Sequence, residues 1–140
     1  MAIKEQATNQ KVLLVFNELI TTNAATTGAI LDTTDYDLGV YFAMGIIDWD
    51  NTAANFAMTI YEGDESDLSD ATLVPASKLV YSDDAELDEL TADGSALIKQ
   101  GCHSTKRYLR VTVTSTGVDT SAHVIVLAIV NPELVPTDQN

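Results

Sequence analysis

Cysteine and histidine, which supply the thiol nucleophile and the usual base of a catalytic pair, are scarce in this 140-residue chain. It contains one cysteine, Cys102, and two histidines, His103 and His123. Neighbours along a strand point to opposite faces, which disfavours a Cys102–His103 pair. The chain has no Gly-x-Ser-x-Gly elbow and no glycine-rich phosphate loop. We therefore expect no enzymatic activity, and we interpret Cys102 as buried, His103 as a surface residue and His123 as an edge-of-core residue.

Carboxylates are the most abundant reactive groups, and hard oxygen ligands suit calcium. The segment from Asp64 to Asp70 superficially suggests a calcium loop, but it lacks the Gly at position six and the Glu at position twelve of an EF-hand. We interpret it as a solvated acidic loop and predict no metal and no cofactor. A pair of carboxylates for glycoside hydrolysis stays open, because the fold and not the sequence spacing sets their separation.

The most unusual local feature is a basic cluster, which we define as Lys106, Arg107 and Arg110, with Tyr108 between them. On a strand, Lys106, Tyr108 and Arg110 lie on one face. Two interpretations are open. The cluster is neutralised by carboxylates of its own chain, or it forms an intersubunit contact in which the arginine forks pair with carboxylates of a neighbour.

The single tryptophan, Trp49, lies in the polar segment Asp48–Asn51, which predicts a turn. One interpretation is that Trp49 caps one end of the core. The other is that it is an exposed interface anchor, because tryptophan is enriched at interface hot spots. We favour the cap and keep Trp49 as a candidate interface residue.

The balance of charge excludes several classes of partner. The formal net charge is −14, from 21 acidic and 7 basic residues. Such a field repels phosphates, so we expect binding neither to nucleic acid nor to anionic membranes. The longest apolar run, Val124 to Val130, is far shorter than the about 20 residues that span a bilayer. Without a signal-peptide pattern at the N-terminus, we expect synthesis in the cytoplasm.

Apolar residues recur at every second position, which predicts strands. The alternation runs from Tyr36 to Ile46, from Phe56 to Ile60 and from Leu109 to Val113, while Val124 to Val130 is apolar on both faces, as in a covered central strand. We predict that the first two runs form one hairpin and the last two form another. Shorter strands are predicted at 11–16, 29–32, 78–81 and 96–100.

Two acidic stretches, residues 62–76 and 82–94, are predicted to be surface connections, each with room for a helical turn. The whole pattern predicts an all-β fold: a single-domain antiparallel β-sandwich, with a jelly roll among the arrangements it allows. The predicted organisation is a flexible N-terminal arm over 1–10, the sandwich over 11–136 and a tail over 137–140.

Several segments together resemble a known group of proteins. They are the strand and acidic loop from Ile60 to Ala71, Gly101, the stretch from Lys106 to Thr112, Gly117, and the apolar strand that ends in Asn131-Pro132. This combination resembles small structural proteins of tailed bacteriophages, among which capsid decoration (cement) proteins are the best understood by role. The resemblance covers residues 36 to 136 and implies a β-sandwich on the outer capsid surface, often as a trimer.

The function that this resemblance implies is a virion structural protein that binds the major capsid protein and stabilises the shell by bridging its subunits. The expected contacts are the basic cluster and the arm around Ile3 and Lys4, which would add a strand to a capsid-protein edge. The alternative is a carbohydrate-binding or adhesin module of a phage tail or head fibre, with Trp49 and exposed tyrosines as stacking platforms. An enzyme is the third and least favoured hypothesis.

Overall fold

The computed structural model describes residues 10–50, 54–80, 89–91 and 98–132. Within these ranges the chain forms ten strands and one short 3-10 helix, Ala76–Lys78. The strands are β1 (Lys11–Ile20), β2 (Ala25–Asp32), β3 (Tyr36–Asp50), β4 (Asn55–Gly63), β5 (Thr72–Leu73), β6 (Leu79–Val80), β7 (Glu89–Thr91), β8 (Ile98–Cys102), β9 (Tyr108–Thr116) and β10 (Ser121–Pro132). The predicted arm, up to residue 9, and the predicted tail lie outside the described residues.

The strands form two antiparallel sheets that pack face to face, so the predicted all-β sandwich is confirmed. Sheet A has the order β1-β10-β3-β8-β6, and sheet B has the order β2-β9-β4-β5, with β7 also paired to β4. Consecutive long strands alternate between the sheets: β1 and β3 lie in sheet A, while β2 and β4 lie in sheet B. This interleaved order is that of a jelly roll.

Both predicted hairpins are wrong. β3 pairs with β10 and β8, whereas β4 pairs with β9, β5 and β7 in the other sheet. Likewise, β9 belongs to sheet B and β10 to sheet A. Alternation indicates only that one face of a strand is buried. Two strands with such a face can lie side by side in one sheet or opposite each other in the two sheets of a sandwich. The predicted turn is also wrong for Asp48 to Asp50, because β3 continues to Asp50, while Asn51 lies outside the described residues.

The inward-facing positions of both sheets form one continuous core. In β10, every second residue from Ala122 to Val130 has no exposed surface. The largest fully buried side chains of the other strands are Phe42 and Met44 in β3, Gln100 in β8, and Phe56, Met58, Ile60, Leu109, Val111 and Val113 in β4 and β9 of sheet B. The helical turn that was predicted within residues 82–94 is not found at Leu90, which lies in β7 opposite Phe56, and most of this stretch lies outside the described residues.

A β-bulge in β1 determines which of its apolar residues reach the core. The register with β10 shifts between Leu14 and Phe16, so that Val15 and Phe16 are both buried. Leu14, directly before the bulge, is then left on the outer face with 55% of its surface exposed. The bulge therefore separates the inward and outward apolar residues of this edge strand.

Candidate interaction surfaces

Two neighbouring rows across the outer face of sheet A are largely apolar. Residues that are directly paired in an antiparallel sheet share a face, and the registers therefore define rows across the strands. The row that crosses all five strands consists of Val12, Ile129, Tyr41, Gly101 and Val80. The next row consists of Leu14, Leu127, Ala43 and Lys99. Antiparallel sheets with one solvated face normally place polar residues there, so this face departs from the usual pattern.

The two sheets differ in the number of large hydrophobic residues that they expose. The structure describes seven large hydrophobic residues as exposed, and five of them lie on the outer side of sheet A. These five are Val12, Leu14, Leu19, Ile47 and Val80. The other two, Ile30 and Leu73, lie on sheet B. Together with Tyr41, Ala43, Ile125, Leu127 and Ile129, the five residues of sheet A form a surface that we call the apolar face.

The strand β10 was predicted to be covered on both sides, and only half of this prediction holds within the described chain. Its inward residues are fully buried, but Ile125, Leu127 and Ile129 on the apolar face remain partly exposed. Contiguous exposed apolar surface of this kind marks interaction sites in folded proteins. The apolar run of β10 therefore indicated the apolar face, although we predicted that this strand would be covered on both sides.

The described side chains of the apolar face also carry no negative charge. The chain carries 21 acidic residues, yet no described Asp or Glu side chain lies at the outward positions of sheet A. The ionisable groups there are Lys99, at the β8 end of a row, and His123, which hydrogen bonds to Asn17. The described side chains of the apolar face therefore add nothing to the negative field that the net charge of −14 creates.

A cleft of ≈ 520 Å³ opens at one end of the apolar face. It is lined by Gly39, Val40, Tyr41, Val80, Cys102, His103 and Asn131. Tyr41 and Val80 also belong to the five-strand row of the apolar face, so that the cleft and the face form one surface. Its size falls within the roughly 300–1,000 Å³ that is usual for binding pockets.

Two members of the basic cluster pair with carboxylates of their own chain. Arg107 holds Asp32 through two hydrogen bonds, from Nε to Oδ1 at 3.1 Å and from Nη2 to Oδ2 at 3.0 Å. Lys106 forms an ion pair with Asp64. The hydrogen bond from Arg107, followed by that from Thr34, holds the pKa of Asp32 well below its usual range. The described contacts thus fit the interpretation of a neutralised outer face, while the predicted intersubunit role of Lys106 and Arg107 stays a prediction.

Arg110 differs from the rest of the basic cluster. It lies on the outer face of sheet B between Ile30 and Tyr61. Its Nε atom is buried and has no hydrogen-bond partner, and no ion pair of Arg110 occurs among the described residues. Tyr108, two positions earlier on the same face, is partly exposed and lies under the Arg107 guanidinium, which is 5.1 Å from the ring centroid. Arg110 is therefore the member of the cluster for which no carboxylate partner is found among the described residues.

A buried carboxylate next to this cluster was not found from the sequence. Glu62 is only 4% exposed. It accepts a hydrogen bond from Lys78 Nζ at 2.8 Å and another from the Ser104 hydroxyl, which in turn accepts one from Lys106 N at 3.0 Å. Each oxygen of the buried charge is thus satisfied, as a buried carboxylate requires. The network fastens the end of β4 to the segment before β9.

The acidic loop from Asp64 to Asp70 is organised by its own carboxylates. Asp70 accepts hydrogen bonds from Asp64 N at 2.8 Å and Glu65 N at 3.2 Å, and these bonds lower its pKa. Asp67 accepts one from Ser69 N at 3.0 Å. Across the described ranges no group of three or more acidic, His or Cys side chains is placed to hold a metal ion.

The remaining sequence candidates divide into three groups. Cys102 is 1% exposed, and burial, with a smaller contribution from Glu62, raises the pKa of its thiol to about 11. His103 is exposed at the cleft, as predicted. The side chain of Trp49 lies outside the described residues, although its backbone pairs with Ala122 in sheet A. The predicted docking residues Ile3 and Lys4 also lie outside the described part.

No helix in the described ranges is long and apolar enough to cross a membrane. No family model matches the chain, and no curated protein matches it. A solved structure with some likeness is that of the N-terminal CBM22-1–GH10 modules of the Clostridium thermocellum endo-1,4-β-D-xylanase 10B in complex with xylohexaose. The two chains share 8% sequence identity at a TM-score of 0.45, over 94% of this chain and 28% of that one. A likeness of this degree carries no argument about function.

Proposed function

We propose that this chain is a virion structural protein that binds the outer surface of an assembled bacteriophage capsid and stabilises it by bridging neighbouring subunits. The observation that carries the binding role is the apolar face of sheet A, which is exposed and free of described carboxylates on a strongly acidic protein. The capsid as its setting is supported by the sequence resemblance to phage decoration proteins.

The physical basis of binding is burial of this face. Removing apolar surface from water stabilises a complex by roughly 25 cal/mol per Å², and the five-strand row offers a continuous strip of such surface. Docking through sheet A would direct the acidic sheet B side, with Asp32 and Asp64, away from the shell. Because a capsid repeats the same site many times, copies associated as a trimer would gain avidity from modest single contacts.

Co-sedimentation with empty mature heads of the same phage tests this role. We expect the protein to pellet with heads at a saturating ratio set by the capsid lattice, and to raise the temperature at which the heads lose integrity. Isolated tails and unassembled capsid protein serve as controls. Binding to tails with none to heads would overturn the capsid assignment.

A second candidate is a carbohydrate-binding or adhesin module, which one feature of sheet B favours. Tyr61 and Tyr108 flank Arg110 on its outer face, and both rings are partly exposed. Aromatic rings beside a guanidinium group are a suitable platform for a sugar ring. A glycan array in which the wild type gives signals that Tyr61→Ala and Tyr108→Ala abolish would favour this role over capsid binding.

A further inference from the structure

One row of side chains on the outer face of sheet B combines a cation, an aromatic ring and exposed apolar surface. Direct pairing places Ile30, Arg110, Tyr61 and Leu73 side by side across β2, β9, β4 and β5. We call these four residues the arginine row. Ile30 and Leu73 are 39% and 55% exposed, and they are the two exposed large hydrophobic residues that the structure describes on sheet B. Both of them therefore lie in line with Arg110.

The neighbours of Arg110 within the sheet are described on every side, and none of them balances its charge. On the same face of β9 the flanking residues are Tyr108 and Thr112, and the partners in β2 and β4 are the apolar and aromatic members of the row. Asp32 lies opposite Tyr108 in the adjacent row, but Arg107 holds it through two hydrogen bonds.

Two further carboxylates near the end of β4 are also bound by other groups. Glu62 is only 4% exposed and accepts hydrogen bonds from Lys78 and Ser104. Asp64 forms an ion pair with Lys106. Acidic residues outnumber basic ones by 21 to 7, yet the carboxylates that the structure describes around the arginine row are engaged elsewhere.

The side chain of Arg110 leaves a buried donor unsatisfied. The residue is partly exposed, but its Nε atom is buried and has no hydrogen-bond partner. Buried donors without an acceptor are rare in folded proteins and call for an explanation, and a bound acceptor supplies one here. A planar guanidinium pairs best with a carboxylate or a phosphate. The carboxylate carries less charge, so it meets less repulsion from a protein of net charge −14.

We propose that the arginine row binds an extended segment of a protein partner, in which an acidic side chain lies between two aliphatic ones. The carboxylate pairs with Arg110, and the aliphatic side chains cover Ile30 and Leu73. The row lies on the sheet opposite to the apolar face, so this site goes beyond the capsid role and does not rest on it. It competes with the carbohydrate-binding role for the same surface.

The dimensions of the row fit such a segment. Neighbouring strands are about 4.8 Å apart, so the three spacings from Ile30 to Leu73 span roughly 14 Å. An extended chain advances about 3.4 Å per residue, so its side chains at positions i and i+4 are also about 14 Å apart on one face, with i+2 between them. When the ends of the segment rest on Ile30 and Leu73, the central carboxylate lies within about 2 Å of Arg110 along the row.

The composition of the row favours a protein over a sugar. Arginine and tyrosine are enriched at the hot spots of protein interfaces. Exposed aliphatic side chains contribute to binding when a partner removes their surface from water. A sugar ring can stack on Tyr61, but its hydroxyl groups would leave Ile30 and Leu73 without apolar cover. A protein segment satisfies all four members of the row.

Peptide titration followed by NMR tests the site on the wild-type protein. The probe is acetyl-Leu-Thr-Glu-Thr-Leu-amide, and the control peptide has Gln in place of Glu. We expect saturable shifts of the Ile30 and Leu73 methyl resonances, with no such shifts at Leu14 on sheet A. The Gln peptide should bind roughly tenfold or more weakly, because it loses hydrogen bonds between charged groups. Equal binding of the two peptides, or no saturable shift with either, would overturn the inference.

A substitution at Arg110 has a matched control on the other sheet. Arg110→Gln should weaken binding of the Glu peptide by roughly tenfold or more. Lys99→Gln removes the same charge from an exposed position of sheet A and should bind the peptide like the wild type. Equal peptide binding by wild type and Arg110→Gln would contradict the proposed pairing, whatever the stability of either variant.

Two other occupants and the capsid role are separated by the same proteins. Digalacturonic acid that binds the row more tightly than the Glu peptide would overturn the inference in favour of a sugar. Self-association that Arg110→Gln abolishes, measured by light scattering and without peptide binding, would overturn it in favour of a second copy of the chain. Arg110→Gln should still co-sediment with heads. Peptide binding by a wild-type protein that does not bind heads supports this site and removes only the capsid role.

Discussion

Replacing Leu14 by asparagine tests whether the apolar face is the docking surface. Leu14 is 55% exposed, so docking can still bury a little over half of its side chain. That burial contributes about 1–1.5 kcal/mol, taken from roughly 1.5–3 kcal/mol for a whole leucine. An asparagine whose amide stays unpaired in the complex costs about 1–3 kcal/mol more. We expect the two effects to weaken single-copy binding by about 2–4 kcal/mol, or roughly 30-fold to several hundredfold in Kd.

Leu73→Asn is the matched control for this substitution. Leu73 is also 55% exposed and also lies in an edge strand, but it belongs to sheet B. Both substitutions should change the free energy of unfolding by no more than about 1 kcal/mol, the span of strand propensities at exposed positions. Urea denaturation checks this, and Kd for heads is measured with heads held below saturation. Equal loss of binding in the two variants, or none in Leu14→Asn, would refute docking through sheet A.

Three further predictions concern the sandwich itself. Gly28→Ala should lower the free energy of unfolding by about 1–3 kcal/mol, measured in urea, because its Cβ would lie 2.5 Å from the backbone oxygen of Val15. Cys102 should resist iodoacetamide at pH 8 until the protein is unfolded, since it is 1% exposed and its pKa is raised to about 11; rapid native labelling, seen by mass spectrometry, would contradict this. Arg107 lowers the pKa of Asp32 in the folded state. The ionised Asp32 carboxylate therefore stabilises the fold fully above the unfolded-state pKa of about 3.9, and this stabilisation is lost as the pH falls through the lower folded-state pKa. The difference in the free energy of unfolding between wild type and Asp32→Asn should be below about 1 kcal/mol, because the ion pair is exposed. This difference should shrink between roughly pH 5 and pH 2, the range in which native carboxylates protonate.

The sequence was sufficient to predict the strands but not their partners. Alternation from Tyr36 to Ile46 and from Leu109 to Val113 identified β3 and β9, because burial of one face imposes a period of two. The same alternation does not indicate whether two successive strands pair in one sheet or lie in opposite sheets. Both predicted hairpins failed for that reason.

Side-chain contacts were predictable only where they are local. The carboxylates that hold Arg107 and Lys106 come from Asp32 and Asp64, on other strands or loops, and nothing in the sequence near the basic cluster indicates them. The bulge at Val15 likewise reverses the parity of β1, so a simple count of every second residue assigns Leu14 to the wrong face. Which face a side chain occupies beyond a bulge depends on the strand register, and tertiary packing determines that register.

The interleaving of the two sheets has a consequence for how the protein forms in the cell. Within the described ranges β1 pairs with β10 alone, so the backbone of Lys11 finds its partner Val130 only after β10 has been synthesised. Loop closure over such a separation is slow, and topologies dominated by distant pairings fold in milliseconds to seconds. During that interval the leucines of β1 have no neighbouring strand, so nascent chains are most vulnerable to aggregation just before synthesis of the last strand ends.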